Sequence, residues 1–180
     1  MISNEDIFAA ATRVLAERPD ATLQTIAQAA GISRTTIFYR FPTRESLLQA
    51  LSVDAFMRIK TVMSVLTGET SSQYPQKLLE VTQKLIPLVE QSMFLRNVPT
   101  ENNNLNSVWA EATAPLTSYL IQLQQEGILS KEIPHRWLVA SYISLLFAAW
   151  DEVSLGELGS LQASRLVVHT WLRGAGHISI

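Results

Sequence analysis

Apolar residues recur at helical spacing along almost the whole chain. Ile7, Ala10, Ala11 and Val14 repeat at i, i+3, i+4 and i+7, which is one face of a helix. Ser3 is placed to cap that helix, and Asp6 stands three residues on to meet its free amides. Pro19 and Asp20 end it. Thr22 is placed to cap a short second helix, Leu23 to Ala30, which Gly31 breaks. Ser33 caps a third that runs to about Arg40. After Pro42 and Thr43 a longer helix begins near Arg44 and continues to Leu66, closed by Thr67-Gly68. No alternating strand pattern competes over this stretch.

The remainder reads the same way. Residues 75–93 form a fifth helix, bent or broken at Pro87. Residues 97–104, NVPTENNN, read as a polar loop. Residues 105–126 carry another helix pattern, which Pro115 divides or kinks and Gly127 stops. A long, strongly apolar helix covers 134–155. The last covers 160–173, stopped by Gly174 and Gly176. The expectation is an all-α protein with an N-terminal three-helix domain, residues 1–48, followed by a second helical domain, residues 49–180.

Composition narrows the function classes. Of 180 residues 47% are apolar and 17% charged, so the chain has enough apolar surface to offset its ordering entropy. Cysteine is absent, which rules out disulfides, a thiolate nucleophile and a cysteine metal site, and fits a reducing cytoplasm. The first ten residues hold two acids and no base, the opposite of a signal peptide. The longest apolar run, residues 137–150, is 14 residues long and falls short of the roughly 20 that cross a bilayer. His135, His169 and His177 are too scattered to hold a metal. No acid, base and nucleophile form a coherent set. Neither an enzyme nor a cofactor is expected.

The informative stretch is TLQTIAQAAGISRTTIFYRF, residues 22–41. It is two short helices joined at a glycine. Ala27 must be small where the second helix crosses, Gly31 allows the positive φ of a tight turn, and Ile26, Ile32 and Ile37 form the wedge between them. This is the helix-turn-helix pattern, whose second helix lies in the DNA major groove. The whole chain carries a formal charge of −2, yet residues 33–44 hold Arg34, Arg40 and Arg44 and no acid. A basic stripe in that register is an electrostatic footprint for phosphate.

Residues 4–51 resemble the DNA-binding domain of the TetR family of bacterial transcription regulators. Ile26, Ala27, Ala30, Gly31, Ser33, Thr36, Phe41 and Leu47 agree with the family pattern. The departures are Thr35 for a frequent Gly, Phe38 for a frequent Tyr, Arg40 for the usual His and Arg44 for the usual Lys. Tyr39 is then the hydroxyl available to a phosphate. The resemblance implies that Ser33, Arg34, Thr35 and Thr36 open the recognition helix and meet base edges, with Arg34 as the guanine reader. Thr22, Arg40 and Arg44 are assigned to the DNA backbone, and Thr36, Phe38 and Tyr39 complete the expected DNA-binding set. Thr22 and Ser33 read equally well as plain caps, and Phe38 and Phe41 as core. With no Lys or Arg before Arg13, no arm into the minor groove is expected.

The resemblance further implies a regulatory domain whose helices enclose an effector cavity, with the last two helices pairing across a homodimer. Met57, Met63, Met93, Phe94, Trp109 and Tyr119 are the large or adaptable groups expected at a small apolar or aromatic ligand. Trp137, Ala140, Ser141, Ser144 and Ala148 form a stripe with small members suited to close helix approach. With Val168, Trp171 and Leu172 they are the expected dimer contacts, in a four-helix bundle. The function implied is a dimeric repressor on a palindromic double-stranded operator, released by a small ligand and working in the cytoplasm. The alternative is a helical adaptor of the same fold that binds a protein instead of an operator.

Overall fold

A computed structural model describes residues 2–68, 71–91 and 103–175. All regular structure among them is helical: α1 (Asn4–Glu17), α2 (Leu23–Ala29), α3 (Arg34–Arg40), α4 (Arg44–Met63), α5 (Tyr74–Gln91), α6 (Asn103–Gln125), α7 (His135–Ser154) and α8 (Ser160–Ala175). The all-α reading therefore holds.

Local chemistry explains the early boundaries. Ser3, Thr22 and Ser33 each have extended backbone and accept an amide of the following first turn, from Asp6, Thr25 and Thr36. Gly31, Gly68, Gly127 and Gly156 take positive φ where helices stop. Ser3 and Asp6 form a reciprocal box. The Asp6 carboxylate accepts from the Ser3 amide at 2.9 Å and its hydroxyl at 2.8 Å. These donors hold the carboxyl of Asp6 below its ordinary range. A depressed carboxylate stabilises above its unfolded pKa and loses that contribution as pH falls through the folded one. Protection of the first-turn amides of α1, taken relative to the intrinsic exchange rate at each pH, should accordingly fall as pH drops below about 4. Asp6→Asn should flatten that dependence.

Two helices depart from expectation. α5 passes through Pro87 and α6 passes through Pro115 without dividing. A proline removes the bond to the carbonyl four residues earlier. Those carbonyls belong to Gln83 and Glu111, both exposed residues where water can take the bond. Buried Ala112, Leu116, Tyr119 and Leu120 keep α6 seated on both sides of Pro115.

The chain divides into two compact units, residues 1–56 with 91–108, and residues 57–90 with 109–180. The boundary falls inside α4, eight residues beyond the expected one at 48. In the first unit Ile7, Ala11, Val14 and Leu15 of α1 pack with Leu23, Ile26, Ala27, Ile37, Phe41, Leu47 and Leu51. Each large side chain so buried contributes about 1.5–3 kcal/mol. Phe41 lies 5.9 Å from Phe8 ring to ring, so it is core. In the second unit α7 and α8 pair, and buried polar groups fix how they meet. Trp171 Nε1 donates to the Leu138 carbonyl at 3.1 Å and to Ser141 Oγ at 3.0 Å. Tyr142 lies edge-on to Trp171 at 5.7 Å and shares a 2.7 Å hydrogen bond with Thr82 of α5. The Thr82 hydroxyl itself donates to the Leu78 carbonyl, so Tyr142 is the donor of that pair. Burial pushes the Tyr142 phenol well above its ordinary value and keeps it protonated.

Candidate nucleic-acid interface

α2 and α3 meet through a turn that Gly31 makes at φ 67. The Ile32 amide bonds back to the Ala27 carbonyl at 3.0 Å. Ile26 and Ile37 are fully buried at the crossing, Ala27 nearly so, and Ile32 is half-buried against the same cluster. With Ile37 facing inward, the opposite face of α3 is left to solvent. Arg34, Thr35, Phe38 and Tyr39 occupy it at i, i+1, i+4 and i+5, and Tyr39 is 88% exposed.

The predicted residues fall into three groups. Arg34, Thr35, Phe38 and Tyr39 share the exposed face, so Phe38 is not core. Arg34 stacks on Phe38, its guanidinium carbon 5.4 Å from the ring centre. Thr22 and Ser33 are the caps of α2 and α3, and Thr36 supplies the amide that Ser33 accepts. Ser33 and Thr36 share a 2.8 Å hydroxyl bond, and Thr22 pairs with Thr25 at 3.1 Å.

Arg40 and Arg44 behave differently. Arg40 donates to the Ile2 carbonyl at 2.7 Å and to Asn4 Oδ1 at 3.2 Å. Arg44 donates to the Ala21 carbonyl at 3.2 Å and to the Pro19 carbonyl. The assignment of these two to the DNA backbone foresaw none of these bonds. Their partners are distant in sequence and are mostly main-chain oxygens, which leave no mark in a sequence. The Arg34–Phe38 pair did have a signal, its i, i+4 spacing.

Residues 7–51 match the family described as bacterial regulatory proteins, tetR family. Residues 7–51 are therefore a DNA-binding domain of the TetR type. The chain is similar to the HTH-type transcriptional regulator NfxB of Pseudomonas aeruginosa, at 22% identity over 182 residues, covering 97% of this chain and 95% of that protein. The TetR-like regulator LfrR of Mycobacterium smegmatis, solved in complex with proflavine, shares its fold with a TM-score of 0.80 at 21% identity, over 98% of this chain and 97% of that one. The fatty acid degradation regulator FadR of Bacillus halodurans superposes with a TM-score of 0.74 at 21% identity, over 96% and 99%. The matched segment contains the helix-turn-helix of α2 and α3, and the solved structures share the fold of the chain along nearly its whole length.

In the second unit the residues expected at a ligand or a dimer contact differ widely in exposure. Met57 is 41% exposed, Met63 and Tyr119 are buried, and Trp109 is half-buried. Met93 and Phe94 lie outside the described residues. A surface cleft of about 310 Å³ is lined by Ile121, Gln124, Gln125, Lys131 and His135. Another of about 140 Å³ lies between α7 and α8, against Trp137, Ser141 and Trp171. None of the six predicted ligand residues lines either cleft. Among the predicted dimer residues, Trp171 is 3% exposed and Val168 is also buried. Trp171 belongs to the chain's own α7–α8 packing, and Ser141 is half-buried there as an acceptor of the indole N–H. Leu172 is half-buried. Trp137, Ala140, Ser144 and Ala148 form an exposed stripe on α7, with Trp137 67% exposed. Leu161, which the helical pattern of α8 offers for burial beside Val168 and Trp171, is exposed, and so are Leu155 and Leu166.

Proposed function

We propose that this protein is a dimeric repressor of the TetR family that reads a palindromic operator through α3 and leaves it when a small ligand binds. The observation that carries this is the solvent face of α3, where Arg34, Thr35, Phe38 and Tyr39 stand together and no acid intervenes. One such helix reads only a few base pairs. Two related by a twofold axis read an inverted repeat with half-sites about 34–36 Å apart or a multiple of it.

The exposed stripe on α7 and the leucines of α8 are apolar surface of the kind a second copy covers. Ala148→Glu places a charge at the C-terminal end of that stripe at an exposed position, so the chain should still fold. Light scattering at micromolar concentration should then report a monomer where the unsubstituted protein is a dimer.

The effector reading draws on the relative bound to proflavine and on the composition of the second unit, which favours an apolar or aromatic ligand. Release is a population shift. Moving the equilibrium from 1:99 to 99:1 requires the ligand to prefer the released state by about 10⁴-fold. α4 is the lever, because residues 44–56 belong to the DNA-binding unit and 57–63 to the other. Among the described residues no helix is long and apolar enough to cross a membrane. The protein works where the DNA is, in the cytoplasm. Selection from random duplexes tests the proposal. The winning sites should carry an inverted repeat, and enrichment without twofold symmetry would refute the paired reading.

A further inference from the structure

The three arginines that make residues 33–44 basic do not form one surface. We infer that they are divided by role: Arg34 stacked on Phe38 is the reading arm, while Arg40 and Arg44 are positioning residues that clasp the two ends of α1. This inference rests on the DNA-binding reading above.

Arg40 is the last residue of α3, and its guanidinium donates to Ile2 and Asn4, where α1 begins. Arg44 is the first residue of α4, and it donates to Pro19 and Ala21, just past the end of α1. Ala21 directly precedes Thr22, the cap that sets where α2 starts. The corner between α3 and α4 therefore holds both ends of α1, and through them the entry to α2. A guanidinium has a planar fork of N–H donors. Here two edges of each fork are committed to neutral oxygens, and turning toward a phosphate would release them. Both side chains are half-buried, in contrast with exposed Arg34.

Arg34 is arranged the opposite way. Its contact with Phe38 occupies the flat face of the guanidinium and leaves the in-plane N–H groups unspent. Those are the groups that fork onto guanine O6 and N7. Phe38 acts through Arg34 by narrowing where that fork points.

The test uses the full-length protein and a duplex it selects, titrated across a salt series. Arg44→Gln keeps amide donors for the carbonyls and removes the charge. Its salt slope should stay within about 0.3 of the unsubstituted value, whereas Arg34→Gln should relax preference at one base pair in each half-site. Arg40→Gln, expected to match Arg44→Gln, carries the test if that variant fails to fold. Phe38→Leu should relax preference at the base pair read by Arg34, Phe38→Tyr should retain it, and adding Phe38→Leu to Arg34→Ala should relax it no further. A slope lower by about one for each bound copy in Arg44→Gln or Arg40→Gln with unchanged melting would place those charges on phosphate and overturn the division. Additive losses for Phe38→Leu and Arg34→Ala would overturn the stacked reading arm. If the unsubstituted protein selects no duplex, the DNA-binding reading fails, and this inference with it.

Discussion

Arg34→Ala is expected to bind its selected operator more weakly and to lose discrimination at one base pair in each half-site. A bidentate arginine–guanine contact is worth about 1–3 kcal/mol against the wrong base. A symmetric pair makes the contact twice, so the expected loss is about 2–6 kcal/mol for the complete site. The side chain is exposed and its partner is an exposed ring, so folding should be little affected, by about 0.5 kcal/mol or less. Affinities for the selected duplex and for duplexes changed at each position, measured for both proteins, separate the two effects. The unsubstituted protein should penalise replacement of the guanine and the variant should not. An unchanged preference would remove Arg34 from base reading and leave the α3 face without its principal donor.

Trp171→Ala should cost about 3–5 kcal/mol of stability in the second unit, the range for emptying a buried aromatic site. The ring is 3% exposed, stands edge-on to Tyr142, and spends its N–H on Leu138 and Ser141 of α7. Its removal takes away the main link between α7 and α8, and the loss is a large part of the 5–15 kcal/mol that keeps a typical domain folded. Trp171→Phe keeps most of the ring contact and loses only the hydrogen bonds, so it should cost about 1–2 kcal/mol beyond any repacking. Urea unfolding followed by circular dichroism gives both values. A Trp171→Ala protein as stable as the parent would show that α7 and α8 are held together by something other than this contact.

Whatever depends on near neighbours was legible in the sequence. Ser3, Thr22 and Ser33 each reach an amide three residues on, and Gly31 sits where only a residue tolerant of positive φ fits well. Ile26 and Ile37 could be placed in the wedge because helical spacing says which face they share. The exposed face of α3 followed by subtraction. What was not legible depends on partners far along the chain. The intramolecular bonds of Arg40 and Arg44, two residues assigned to the DNA backbone, stayed hidden because their acceptors lie 23 to 38 residues away and are chiefly backbone oxygens. Val168 and Trp171 showed that α8 has a face to bury, but an amphipathic pattern does not say whether the cover is the same chain or another copy. Pro87 and Pro115 misled for a related reason. The cost of a proline depends on whether water can reach the abandoned carbonyl, and burial of that kind is a property of the fold.

The central claim is that α3 enters the major groove and meets a guanine edge. Methylation interference on the selected operator tests it most directly, because methylating guanine N7 blocks that edge and leaves the minor groove unchanged. Methylation of one guanine in each half-site, related by the twofold axis, should abolish binding by the unsubstituted protein and have far less effect on Arg34→Ala. Binding indifferent to guanine N7 methylation anywhere in the site would contradict it.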